Sequence, residues 1–549
     1  MHITETEVGF MVTNEKEIIE RGYVKYSDFG AVGDGVHDDW REIVDAHDYA
    51  NEKGLPVRAD EGYTYYVHDF TRSAIIKTDT CFDGAKFVLD DTGALAFDYK
   101  HIPFWLVDKE NPVEVYGGEE LKAQFNVSPI EENATSIPWL AGKLKVKSLI
   151  RFSNENHRDF VRHGSNVNAG NARTDCLLVD VDGTIDPSTP VAFAFDDVTK
   201  IEIIRTDDKP ITVSGGDFTT ICCVVVPQTE FINKWRGYHR KFKIVRPNTV
   251  MKNMKHRIIG EPYLPYTGYG RTDDGKLHHS YPYYGFLFFT NTYNCRAENC
   301  ALQGHTTYYE DKTTSDKPVP QGTYDLVIEY SSHVTIDGIT NGVDISDRRC
   351  WGLMSSNGAK NMTFINCSMS RFDAHRGFWN ARLINCEFGQ TINVIGGGTL
   401  YLENVTRTTG DYFIALRGDY GATFQGDIIL KDCKMLCGKN WRGNKAEGLV
   451  ENTVRIINSG FGANNEGYLD WDFGYTCYMP QNVVIENFTS ALPDKTYVFN
   501  SVANAAFDEA KKNRYVITKT VTFKGCDPIP ICQDENATCL REGVKIITE

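Results

Sequence analysis

One short unit recurs in series along the second half of the chain: two apolar residues flanking a single position, closed by Asn or Asp. It reads VTIDG from 334, TFINC from 363, RLINC from 382, LYLEN from 400, IILKD from 428, VRIIN from 454 and VVIEN from 483. The polar residues are Asp337, Asn366, Asn385, Asn404, Asp432, Asn458 and Asn487, at intervals of 19 to 29 residues. VMKN and AEN carry the series back to Asn253 and Asn299, with longer stretches between. A strand this short cannot bury its apolar face alone and must stack on its neighbours, so the series specifies a β-solenoid rather than a sandwich with ordinary turns. At each bend an Asn amide can satisfy turn backbone and bond the equivalent amide one coil away. The expectation is a ladder through Asn366, Asn385 and Asn404, with Cys367 and Cys386 turned inward as free thiols.

Length and composition agree with an elongated repeat. A chain of 549 residues, 41% hydrophobic, exceeds what one compact core accommodates, so it forms several domains or an elongated repeat, between which composition alone does not choose. With 58 basic against 74 acidic residues and a formal charge of −16, it lacks the basic surface that nucleic acid or an anionic membrane requires, and neither is expected as a partner. The start shows no signal-peptide pattern and no apolar run is long enough to span a bilayer, so a cytoplasmic or virion-associated location is expected. Fifteen cysteines are an odd number without paired zinc spacing. They read as small reduced core residues, with no metal and no cofactor expected.

The segment YSDFGAVGDGVHDDWREIVDAHDYANEKGLPVRADEGYTYYV, Tyr26 to Val67, combines D-F-G-A-x-G-D-G-x-x-D-D with an amphipathic helical stretch and a following strand. It resembles the opening of the pectate-lyase-like and polygalacturonase-related family, which includes glycoside hydrolases, polysaccharide lyases and phage tailspike depolymerases. The resemblance implies an all-β, right-handed parallel β-helix with a short N-terminal capping helix. Trp40, Ile43, Val44 and Ala46 would be the buried stripe of that helix. Asp28, Asp34, Asp38 and Asp39 read as turn and capping residues rather than metal ligands. The expected organisation is a tail over 1–20, the cap and first coils over 21–125, irregular coils or a β-rich insertion over 126–235, and the main β-helix over 236–549. The Tyr-, Gly- and His-rich stretch 262–285 reads as a long loop.

Two Arg-x-Asp triplets raise the question of a site: RFDAHRG from 371 and RGDYG from 417. Counting back from the ladder residues puts Asp373 and Asp419 in one column two coils apart, roughly 10 Å along the axis. Glycosidic cleavage needs one carboxylic acid and one carboxylate, about 6.5–9.5 Å apart for inversion. Asp373 and Asp419 are therefore the candidate catalytic pair, with Asp347 as an alternative partner and His375 as a residue that tunes Asp373 or touches substrate. Arg371, Arg417, Arg348, Trp351, Trp379 and Tyr420 are the candidate substrate-binding residues. The opposing reading is a structural ion-pair ladder on a solenoid face.

The polygalacturonase pattern of paired aspartates in an N-T-D and D-D setting, together with G-H-G and R-I-K, is not present, and Gly304-His305-Thr306 is only a partial echo. A glycoside hydrolase acting on a polysaccharide or oligosaccharide is the first expectation. A polysaccharide lyase with Arg371 or His375 abstracting the proton is the second. A non-catalytic glycan-binding tailspike or fibre, for which a homotrimer is the implied assembly, is the third.

Overall fold

The structure, a computed structural model, describes residues 14–69, 71–92, 102–108, 113–163, 168–205, 209–222, 241–260, 285–303, 324–341, 352–408, 412–436, 454–458, 474–499, 518–533 and 544–549, with short strands at 4–5, 11–12, 224–225, 270–271, 277–280 and 515–516. The fold is a parallel β-helix whose residues fall into two compact units: 1–112, 207–327 and 337–354 form the first, and 113–206, 328–336 and 355–549 the second. Among the described residues no helix is long and apolar enough to cross a membrane.

In the first unit each coil contributes three strands. Ile211–Ser214, Asp217–Ile221 and Phe242–Ile244 pair in parallel with the next coil's Thr249–Lys252, Lys255–Ile259 and Leu287–Thr290. Alternation sends every second side chain into the lumen, where aromatic rings stack from coil to coil. Phe87 lies over Phe218 at 4.7 Å, Phe104 over Phe242 at 4.4 Å and His256 over Phe286 at 4.1 Å. The helix Trp40–Lys53 buries Trp40, Ile43, Val44, Ala46, Tyr49 and Ala50, and the Trp40 ring meets Phe104 edge-on. The acidic residues ahead of it serve turns and caps: Asp39 accepts from the Val32 and Gly33 amides, Asp34 from Val36 and His37, Asp38 from Trp40, and Asp28 from Lys25.

His47 on that helix is fully buried, 2.9 Å from the Tyr26 hydroxyl, and burial holds its imidazole down to about 3. The unfolded chain therefore takes up this proton at a higher pH than the folded one. The contribution of neutral His47 is complete above about pH 6.5 and falls by about 1.4 kcal/mol per pH unit on acidification towards 3. Urea denaturation of wild type and His47→Gln between pH 7 and 4 should show a shallower pH slope in the variant; equal slopes would contradict this.

The second unit carries the asparagine ladder. Ala359–Ile365, Phe378–Ile384, Gly396–Glu403, Phe424–Lys431, Asn482–Glu486 and Thr520–Lys524 pair in parallel, and the residue after each is Asn366, Asn385, Asn404, Asp432, Asn487 and Gly525. All six have positive φ, between 50° and 57°, which Asn, Asp and Gly tolerate best. The Asn385 amide donates to Asn366, Asn404 to Asn385 and Asn487 to Asp432, at 3.3, 2.9 and 2.9 Å. Cys367, Cys386 and Cys433 follow the bend, point inward as free thiols and donate to the carbonyl two residues back. Burial pushes the Cys433 thiol up to about 12.

Two members of the expected series do not belong to the ladder. Asn458 ends Val454–Asn458, a strand of another sheet, where it lies opposite Ala415. The coil from Asp432 to Asn487 is thus a single turn of 55 residues. In the first unit Gly338, not Asp337, stands next to Asn299, with φ +67° and room for no β-carbon, which would lie 2.7 Å from the Asn299 Oδ1. Periodicity alone does not separate a strand that ends at the ladder from one on the next sheet, because both read apolar-x-apolar.

Residues 113–206 of this unit depart from the solenoid. Val113–Gly117, Lys200–Arg205, Ser148–Asp159 and Asn171–Val179 form, in that order, an antiparallel sheet with its own core of Phe125, Trp139, Phe152, Leu177, Phe195 and neighbours. Solenoid strands are again present from Ile211. The sheet is anchored to the second-unit coils by buried Lys360, which pairs with Asp175 at 2.7 Å and bonds the Pro190 carbonyl, and by the Asn361 amide donating to the Ser188 carbonyl at 2.6 Å.

Candidate functional site

The two Arg-x-Asp triplets meet in one ion network, though not in one column. Asp373 ends Ser368–Asp373 and lies opposite Asn393, which lies opposite Ala415; Asp419 is four residues further on, in the short helical turn Gly418–Tyr420. A register slip between Met369 and Arg371 and this turn upset the count from the ladder. Arg417 bridges the difference. Its Nη1 reaches Asp373 at 3.1 Å, and its Nε and Nη2 grip Asp419 at 3.0 and 2.7 Å. Arg371 closes on the other oxygen of Asp373.

Among the described residues no open groove enters this network. Asp373 is 0% exposed, Arg371 and Tyr420 are buried, and the Arg417 guanidinium lies 5.0 Å over the Tyr420 ring. The roles expected of Asp373 and Asp419 as acid and base across a sugar are therefore corrected: Asp373 has no exposed surface, and neither carboxylate is among the residues that line the neighbouring cleft. Burial raises the Asp419 carboxyl, but the bonds and charge of Arg417 and Arg162 outweigh it and hold it below the usual carboxylate range. Burial, with the neighbouring guanidiniums, pushes His375 down to about 3 against the pull of Asp373. A neutral imidazole 3.8 Å from Asp373 is what the network tolerates.

What the network holds is the end of the antiparallel sheet's long strand. Arg162 pairs with Asp419 at 2.8 Å, and the His163 amide donates to the Asp419 carbonyl at 2.9 Å. Just before these residues the strand Ser148–Asp159 carries a bulge between Asn154 and Arg158, after which Phe160 takes φ +54°. Left-handed backbone is costly for an aromatic residue and persists where its surroundings over-determine it. Here the Phe160 ring fills the notch above Gly377, the last residue of RFDAHRG, whose added β-carbon would lie 2.6 Å from Phe160 Cζ at φ +76°. Gly377→Ala is expected to cost about 1–3 kcal/mol, read as a fall in the denaturation midpoint. An unchanged midpoint would show that the notch is not filled.

On the outer side of this junction lies a cleft of about 380 Å³ between the antiparallel sheet and the coils of the second unit. The sheet side brings Glu132, His157, Asp159, Phe160, Arg173 and Phe193, and the coils bring Thr423, Gln425, Tyr475 and Tyr478. Arg173 grips Asp159 through Nε and Nη2 at 3.0 and 3.1 Å, and the same Nη2 donates to His157 Nε2 at 2.7 Å. The Phe160 and Tyr475 rings meet edge-on, and the Tyr475 hydroxyl donates to the Tyr420 carbonyl at 2.7 Å, which ties the cleft to the ion network. Burial, then the charge of Glu132, raises the Tyr478 phenol above its ordinary value, so it stays a hydrogen-bond donor at neutral pH.

Of the expected binding residues, Trp379 packs edge-on against the cleft's Phe193 at 6.5 Å, while Tyr420 is a buried spacer between the network and the cleft. Arg371 and Arg417 bind carboxylates of the chain itself. Asp347, Arg348 and Trp351, and most of 262–285, lie outside the described residues. The cleft residues escaped the sequence reading because none lies on the ladder. The run His157-Arg158-Asp159-Phe160, an acid beside an aromatic residue, was the one available signal, and its partners at 475–478 are more than three hundred positions away.

No family model and no curated protein sequence matches the chain. In fold, it is similar to phage tailspikes. Tailspike gp61 of Pseudomonas phage phi297 superposes with TM-score 0.45 at 10% identity, over 96% of this chain and 75% of that one. Tailspike gp49 of Pseudomonas phage LKA1 gives 0.45 and 10%, over 96% and 78%. The gp54 tailspike of Acinetobacter baumannii bacteriophage AP22, solved with A. baumannii capsular saccharide, gives 0.35 and 9%, over 99% and 79%.

Proposed function

We propose that this protein binds a polysaccharide or oligosaccharide in the cleft of the second unit and hydrolyses it there. The observation that carries the reading is the lining: two carboxylates, Glu132 and Asp159, beside the faces and edges of Phe160, Phe193, Tyr475 and Tyr478. Sugar rings present apolar C–H faces to aromatic rings and hydroxyls to amide and hydroxyl side chains, here Gln425, Thr423 and Thr476. Hydrolysis needs an acid for the leaving oxygen and a carboxylate for water or the anomeric carbon. Asp159, oriented by two bonds from Arg173, takes the carboxylate role, and Glu132, exposed at the rim, takes the acid role. Asp373, Asp419, Arg371, Arg417 and His375 act as positioning residues, because they hold the strand end that brings Asp159 and Phe160 to the cleft.

Incubation with a broad glycan panel and analysis of the products test the reading. New reducing ends without an unsaturated sugar are expected. An unsaturated product would transfer the cleft to lyase chemistry, and binding without cleavage would leave a glycan-binding protein. A tailspike role adds a virion-borne homotrimer to the proposal. A monomeric mass by light scattering would remove that addition without touching the cleft.

A further inference from the structure

A second depression, of about 510 Å³, lies on the outer face of the ladder sheet in the second unit. It is lined by Thr363, Arg382 and Tyr401, which stand directly opposite one another on three successive coils, together with Asn361, Asn380, Thr399, Met362 and His333. Its chemistry differs from that of the cleft. Among the described residues no carboxylate lines it, and in a chain of formal charge −16 those that line it present one exposed guanidinium, Arg382, whose described contact is the Tyr401 ring at 5.5 Å. The nearest acid is Glu403, which accepts from the Tyr401 hydroxyl at 3.0 Å and is itself paired with Lys431 at 3.1 Å; Asp186, felt by His333, is paired with Lys147 at 2.5 Å.

The floor is rigid. Asn361 and Asn380, both with positive φ, form a second amide ladder at 3.0 Å, and Asn380 in turn accepts from the Thr399 amide at 2.8 Å. These amides are used up within the chain, so a ligand would be met by the side chains that remain, the hydroxyls of Thr363 and Thr399, the Arg382 guanidinium and the Tyr401 ring. Adjacent coils are separated by about 4.8 Å. The column Thr363–Arg382–Tyr401 is therefore about the length of two sugar rings laid along the axis. Burial lowers His333 below its ordinary value, so it adds no charge at neutral pH; with Glu403 at the edge paired to Lys431, Arg382 is the positive charge that the lining presents.

We propose that this groove is a non-catalytic subsite for an acidic saccharide: a ring carboxylate pairs with Arg382 while its neighbour's apolar face lies on Tyr401. With no acid in the lining it cannot cleave a glycosidic bond by the carboxylate-pair route, and it serves to hold a charged polymer. The inference rests on the proposed glycan-directed function but concerns a different surface.

The test is titration calorimetry of the full chain with an oligogalacturonate and with its methyl-esterified counterpart, on a background of Asp159→Asn to suppress turnover at the cleft. The acidic oligomer is expected to bind, its ester to bind about tenfold more weakly or not at all, and Arg382→Gln to weaken the acidic oligomer about tenfold. Tyr401→Ala should weaken both ligands. Absence of binding by the acidic oligomer, equal binding of acid and ester, or no effect of Arg382→Gln would each overturn the proposal. Because the readout is binding in a cleavage-suppressed chain, its failure is separate from failure of the cleft reading, which product analysis decides.

Discussion

Asp159→Asn is expected to lower turnover of the cleaved glycan by about a hundred- to ten-thousandfold while leaving the chain folded. The substitution keeps the size of the side chain and one oxygen for Arg173, but removes the charge that would activate water or meet the developing positive charge on the sugar. Asp159 is itself buried, but Arg173 and His157 keep partial exposure at the cleft wall and the asparagine retains a bond to Arg173, so the midpoint of thermal unfolding should fall by less than for a fully buried pair while the rate collapses. Glu132→Gln should match it for substrates with poor leaving groups and recover when the leaving group needs no proton. Full turnover in Asp159→Asn would remove this residue from the chemistry. A large fall in both turnover and melting temperature would mean that Asp159 is structural.

The opposite pattern is expected at Arg417. Replacing it with Leu leaves Asp373, with no exposed surface, and largely buried Asp419 each short of a guanidinium partner. Breaking a buried ion pair from one side costs about 3–5 kcal/mol, since the remaining charge stays desolvated. The loss should appear in chemical denaturation of the second unit. It should be accompanied by weaker glycan binding, because the strand end held by Asp419 carries Asp159 and Phe160. Removing Asp419 and Arg417 together should cost less than the sum of the two single changes, as expected for groups in one network. Additive losses, or an Arg417→Leu chain as stable as wild type, would show that the two triplets are independent surface pairs.

Much of the architecture was legible in the sequence because it is written in local, repeated chemistry. A bend that requires positive φ selects Asn, Asp or Gly at each coil, and the residue after it must be small and apolar enough to enter the lumen. Asn366-Cys367 and Asn385-Cys386 therefore announce both the turn and the direction of the next side chain. The capping helix was readable for the same reason, with Trp40, Ile43, Val44 and Ala46 spaced to bury one face. Where the local signal was ambiguous the reading slipped: VRIIN looks like a ladder strand, yet Asn458 belongs to a neighbouring sheet.

The site was less legible. Sequence singled out Arg371, Asp373, Arg417 and Asp419 as belonging together, and they do meet. It could not say that their oxygens are turned onto guanidinium groups in the interior rather than onto a groove, since exposure is a property of what packs above a residue. That covering comes from Arg162, His163 and Phe160, more than two hundred positions upstream on an antiparallel sheet without ladder periodicity. Sequence by itself determined the coil, the bend and the inward residue, because each depends on neighbours within a few positions or one repeat. Only the tertiary structure decided which carboxylates are buried and which line a cleft, because desolvation depends on segments that approach from far along the chain.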